Sequence, residues 1–120
     1  MDVTLRPPAS RELLDRLREA SVALPEDYLA FMETSDGGEG DVGRTWLELW
    51  PASRVIAELA SEPRYEGVAL FAGDGANTVY GFDGFRNGAV VEGDWIGLAR
   101  TELIPRGGTF TGFLRSLSDV

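Results

Sequence analysis

Cysteine and histidine are both absent from this chain of 120 residues. Without cysteine there is no disulfide, no thiolate nucleophile and no thiolate metal site. Without histidine the chain lacks the commonest general base near neutral pH and the commonest nitrogen ligand for zinc. Long apolar runs are missing as well. The longest, such as Val68 to Gly73, are strand-sized, far short of the roughly 20 residues that a membrane-spanning helix needs. The opening MDVTLRPPAS has no basic region followed by an apolar stretch, so it does not read as a signal peptide. The expectation is a cytoplasmic protein with no membrane partner. Basic residues are scarce: 11 Lys and Arg stand against 20 Asp and Glu, for a formal charge of −9. Affinity for a phosphate backbone comes largely from cations displacing counterions, so direct nucleic-acid binding is not expected. The same charge suits steering toward a basic partner.

What the chain does have is one ordinary apolar share, 43%, in a length that makes a single domain with a continuous core. Residues 1–9 are expected to be an extended N-terminal arm, because Pro7 and Pro8 resist helix. Ser10 is placed to cap a helix over Arg11–Ala20, with Leu13, Leu14 and Leu17 as its apolar stripe. Pro25 fits the first position of a second helix, followed by Glu26 and Asp27 where the helix dipole favours negative charge. Tyr28, Phe31 and Met32 fall on its inner side, and it ends near Thr34 ahead of the Asp36-Gly37-Gly38 turn.

Trp46-Leu47-Glu48-Leu49-Trp50 alternates as a strand, Trp46, Glu48 and Trp50 on one face and Leu47 and Leu49 on the other. Pro51 stops it and starts a short helix through Ala60. Val68–Phe71, Thr78–Phe82, Ala89–Glu92 and a segment within Trp95–Ile104 are further strand candidates between Gly, Asp and Asn turns. Thr109 can cap a closing helix carrying Phe110, Phe113, Leu114 and Leu117. Helices, then four or five strands, then a helix predict one α+β domain over residues 10–120, its helices packed on a mostly antiparallel sheet. Tyr28, Phe31, Trp50, Phe71 and Phe113 are its expected core.

Few constellations carry chemistry. Gly73-Asp74-Gly75-Ala76-Asn77 offers oxygens and amides, but it lacks the Lys-Ser/Thr of a phosphate loop and the regular oxygens of a calcium loop. A β-turn explains all five residues. Asp36, Glu39 and Asp41 lie close along the chain, but glycine spacing gives them no rigid cage. Glu48 with Glu92 or Asp94 is the candidate pair for carboxylate-only hydrolysis, which needs two acids about 5–9 Å apart. Ser35, Ser53 and Ser116 have no histidine partner. Arg100, Arg106 and Arg115 make at most a small basic area, and Arg86 is a loop charge. Neither catalysis, a metal nor a cofactor is expected.

From Glu19 to Gly43 the chain carries seven carboxylates (Glu19, Glu26, Asp27, Glu33, Asp36, Glu39 and Asp41) and no Arg or Lys. That stretch runs into the tryptophan strand, so it points to an acidic, partly aromatic surface offered to another protein. The candidate partner-binding residues are Glu33, Asp36, Glu39 and Asp41, with Trp46 and Trp95.

The order of several fragments resembles the SUKH superfamily, which includes a fungal regulator of cell-wall assembly. The fragments are Leu24-Pro25 before Asp27-Tyr28 and Phe31, the Gly37-Gly38 turn, Leu49-Trp50, Leu70-Phe71 with Asp74-Gly75, Tyr80-Gly81-Phe82-Asp83, and Thr109-Phe110-Thr111-Gly112-Phe113-Leu114. Together they cover residues 10–118. Gly112 departs from the pattern, standing where a helix-favouring acid is usual. The resemblance implies a single α+β domain with helices on a curved sheet. For bacterial members it implies an immunity protein that neutralises a polymorphic toxin, frequently a nuclease; the fungal branch implies a regulatory or scaffold protein. The partner expected here is a basic toxin domain.

Overall fold

Asp2–Leu5, expected as an arm outside the domain, is strand β1 in the computed structural model of the chain, which describes residues 2–61, 65–96 and 102–119. It pairs antiparallel with β2 (Gly38–Val42), Val3 opposite Gly40 and Leu5 opposite Gly38. Arg6 then fastens the chain, its guanidinium donating to the Leu49 carbonyl at 3.1 Å. Strand β2 escapes the sequence reading because it alternates glycine with acid rather than apolar with polar. Its inward positions are Gly38, Gly40 and Val42. A Cβ on Gly38 would lie 2.4 Å from the Thr4 carbonyl oxygen, so the close approach of β1 requires a residue with no side chain.

Between these strands lie helices α1 (Arg11–Arg18) and α2 (Glu26–Thr34). Ser10 caps α1 as expected, its hydroxyl accepting from the Leu13 N–H at 3.3 Å, and the helix stops two residues short of Ala20. Pro25 is the cap of α2 rather than its first turn, with an extended ψ of 146°. Strand β3 (Thr45–Leu49) leads through Pro51 into α3 (Ala52–Ala60). Then come β4 (Val68–Gly73), β5 (Thr78–Asp83), β6 (Ala89–Asp94), β7 (Ile104–Gly107) and α4 (Phe110–Ser118), capped by the Thr109 hydroxyl. The seven strands among the described residues neighbour one another in chain order, every pair antiparallel. The radius of gyration, 13.1 Å, is close to the roughly 13.6 Å of one folded unit of this length.

Strand alternation distributes the core. Phe71, Phe82 and Tyr80 project to the face covered by α2 and α4, where Tyr28, Phe110 and Phe113 meet them. Phe71 stacks on Phe82 with centroids 4.1 Å apart and planes 9° from parallel. Helix α3 packs against β4 on the other side, near Val68 and Leu70. Aspartate 27 joins two helix starts that are far apart in sequence. One carboxylate oxygen accepts from the Tyr28 N–H and the other from the N–H and hydroxyl of Thr111 on α4.

Two expectations change, one of the core and one of a loop charge. Phe31 is only half-buried, stacked on Phe110 at 5.4 Å beside an apolar groove of about 440 Å³ under β1. Arg86 is not a free loop charge: it lies 3.6 Å from the fully buried Asp83, whose other oxygen accepts from the Phe85 N–H. Tyr28, by contrast, is 2% exposed, and its hydroxyl has no hydrogen-bond partner among the described residues. Desolvation, aided by the charge of Asp36, pushes its phenol well above the ordinary tyrosine range. Since an unpaired buried hydroxyl costs about 1–3 kcal/mol, Tyr28→Phe is expected to leave stability unchanged or raise it by up to about 2 kcal/mol. Urea unfolding at neutral pH measures this directly, and a loss above 1 kcal/mol would reveal a partner for the hydroxyl.

Candidate functional site

The face of β2 and β3 turned away from α2 and α4 is acidic and aromatic. Register places Glu39 opposite Glu48 and Asp41 opposite Trp46, with Thr4 of β1 beyond Glu39. Glu39 and Asp41 are exposed, and Trp46 keeps 44% of its surface open. The Trp46 indole N–H donates to the Glu48 carboxylate at 3.0 Å, which holds the ring along the strand. Glu39 and Glu48 are like charges directly across an antiparallel pair, an arrangement that weakens a sheet by roughly 0.2–1 kcal/mol. A cation docked on this face would relieve that repulsion.

The acidic stretch legible in the sequence is therefore divided by the fold. Glu33 sits on α2 and pairs with Arg18 of α1. Asp36 is half-buried and turned inward, where its carboxylate accepts from the Ala52 N–H at 2.7 Å. It thus caps α3, whose own cap residue Pro51 has no suitable side chain. Asp36→Ala should cost about 1 kcal/mol of unfolding free energy, the usual price of a lost N-cap. Asp36→Asn, which keeps an acceptor, should retain most of it. A urea titration of both variants checks this, and equal losses would mean that charge rather than capping matters.

Trp95 lies next to the acidic face, around the Gly73–Asn77 turn. That turn joins β4 to β5 as expected, the Asp74 carboxylate accepting from the Ala76 and Thr78 N–H groups. Gly75 takes φ +80°, and a Cβ there would lie 2.9 Å from the Glu48 carboxylate and 3.3 Å from Trp46. The Asn77 carbonyl accepts from the Trp95 N–H. Trp95 meets Trp50 edge to face at 5.9 Å, and the Arg54 guanidinium lies 3.9 Å above the Trp50 ring and 5.7 Å from Trp95. Glu48, Trp50, Arg54, Thr78, Val79 and Trp95 enclose a basin of about 240 Å³. All three tryptophans of the chain thus surround one turn.

Sequence reasoning missed Arg54 and the pocket role of Trp50. The available signal was their spacing of four across a proline that starts a helix, which returns the arginine over the ring. The hydrolase pair is not assembled. Following Glu48 to Gly73, Val79 and Gly93 across the sheet puts Glu48 on the face opposite that of Glu92 and Asp94. Glu92 lies 3.3 Å from Arg106. Arg115 is exposed on α4, and Arg100 lies outside the described residues. Asp36, Glu39 and Asp41 do not converge either, and among the described residues no group of three or more acids is gathered as a metal site. No described helix is long and apolar enough to cross a membrane. Comparison with protein-family models and with curated proteins finds no match.

Proposed function

We propose that this chain is a non-catalytic, cytoplasmic protein-binding domain of the SUKH type, an immunity protein that neutralises a toxin domain through the β2–β3 face. The observation that carries the reading is the convergence of Glu39, Asp41, Glu48 and Trp46 on an uncovered sheet face, with Glu39 set against Glu48. Supporting it are the family-like order of sequence fragments and the α+β architecture. Acidic groups on a rigid sheet can occupy the basic cleft of a nuclease in place of its substrate backbone and steer association. A ring anchored by its own N–H supplies apolar contact area at little entropic cost. In this role the domain needs no cofactor and touches nucleic acid only by displacing it.

The test is co-expression with the toxic protein that co-purifies with the tagged chain from its source cell. Wild type should restore growth, and the double variant Glu39→Gln/Asp41→Asn should restore it poorly while remaining folded. A co-purifying protein that is harmless when expressed alone would replace immunity with the regulatory role of the fungal branch. Hydrolytic turnover by the purified chain, lost on changing one particular acid, would overturn the non-catalytic reading.

A further inference from the structure

The basin beside the acidic face has its own chemistry. The Arg54 guanidinium is held by its stacking on Trp50, yet among the described residues it donates no hydrogen bond and pairs with no carboxylate. A guanidinium lying on a ring keeps its edge N–H donors free, and these match a carboxylate in a two-pronged fashion. Across the basin stands Glu48, which accepts one hydrogen bond, from Trp46, and has no cation among the described residues. A ligand entering here meets one positive and one negative charge, each with capacity that the described residues leave unused. A simple anion gains Arg54 but is opposed by Glu48 and by the formal charge of −9. A simple cation gains Glu48 but is opposed by Arg54. An element that bears both charges satisfies both groups.

Size narrows the source. The basin, about 240 Å³, falls below the roughly 300–1,000 Å³ of pockets that enclose cofactors and drug-sized ligands. It has room for side-chain tips rather than for a nucleotide or coenzyme. It also adjoins the acidic face directly, because Glu48 belongs to both and Trp46 touches the turn that forms the rim.

We propose that the Trp50–Arg54–Trp95–Glu48 basin receives an adjacent acidic and basic side chain from the protein partner, the carboxylate on Arg54 and the cation on Glu48. This deepens the immunity reading and rests on it for the source of the ligand. On that basis the β2–β3 face supplies attraction, and the basin selects which basic partner is accepted. A toxin surface that is basic throughout would leave Arg54 desolvated and unpaired, a strong penalty against the wrong partner.

The test is a nuclear magnetic resonance titration of the full chain with acetyl-lysyl-glutamyl amide. The three indole N–H signals and the Arg54 Nε–H signal report directly on the basin. The Trp50, Trp95 and Arg54 signals should shift saturably, with a dissociation constant in the millimolar range expected of so small a probe. Acetyl-lysyl-glutaminyl amide should bind at least about fivefold more weakly, as should the original probe to Arg54→Lys, which keeps the charge but loses the fork. Glu48→Gln should weaken the Lys–Glu probe and strengthen acetyl-norleucyl-glutamyl amide. Equal binding of inorganic phosphate, or no effect of Arg54→Lys, would overturn the proposal. Micromolar binding of glycine or 6-aminohexanoate would overturn the protein source in favour of a small zwitterion. If partner capture falls with Glu39→Gln/Asp41→Asn but is indifferent to Arg54→Lys, the immunity reading stands and the basin has no part in it.

Discussion

Truncating Phe113 to alanine is expected to destabilise the domain by about 3–5 kcal/mol, the combined loss of buried apolar surface and of the cavity left behind. The side chain has no exposed surface and meets Tyr80 at 4.9 Å and Phe71 at 5.9 Å. Helix α4 has little intrinsic stability to compensate. It is nine residues long, with Gly112 costing roughly 1 kcal/mol relative to alanine, so it depends on docking. Phe31→Ala should cost less, about 1–2 kcal/mol, because its ring already borders solvent in the groove under β1 and gains only part of the transfer energy. Equilibrium unfolding in urea separates the two. Equal losses, or a loss below about 1 kcal/mol for Phe113, would mean that α4 does not clamp the sheet as described.

That contrast shows what periodicity alone conveys. A residue on the apolar side of a helix is recognisable from spacing, and Tyr28, Met32, Phe113 and Leu117 are buried as their positions predict. How completely a neighbour covers it depends on where the sheet ends, which spacing does not encode. Phe31 lies at that boundary. Strands with apolar alternation or short apolar runs, β3 to β6, were legible to within a residue or two. Strand β2 was not, because two of its three inward residues are glycines, Gly38 among them admitting the β1 backbone where a side chain would clash. The N-terminal arm became a strand for the same reason: its partner was hidden.

The site was legible in composition but not in arrangement. Seven acids without a base announce an acidic surface, but a carboxylate in a helix-rich segment has competing uses. Arg18 takes Glu33, and the α3 terminus takes Asp36. Glu19 and Glu26 are exposed on the helical side, and Glu39 and Asp41 on β2 are exposed beside Trp46. Arg54 was invisible as a site residue because its significance lies in two tryptophan rings, one four residues before it and one 41 positions after it.

Charge on the β2–β3 face should act on the rate of encounter. Glu39 and Asp41 are exposed, and neither makes an ion pair among the described residues. Removing their charge therefore disturbs no fold contact and should even ease the opposition of Glu39 and Glu48. Glu39→Gln/Asp41→Asn is expected to unfold no earlier than wild type in urea, yet to associate with a basic toxin domain about 5–20-fold more slowly at low salt. The dissociation rate should change far less, since exposed charges steer approach while buried contacts set residence time. At several hundred millimolar salt the screening length falls to about 5 Å or less, and the two proteins should associate at nearly the same rate. Glu33→Gln, which removes the same unit of charge from α2 rather than from the β2–β3 face, should have a smaller effect and serves as the internal control. Stopped-flow association across a salt series gives all of these values. A rate difference that persists at high salt would assign these residues to direct contact instead of steering, and no difference at low salt would remove the β2–β3 face from recognition altogether.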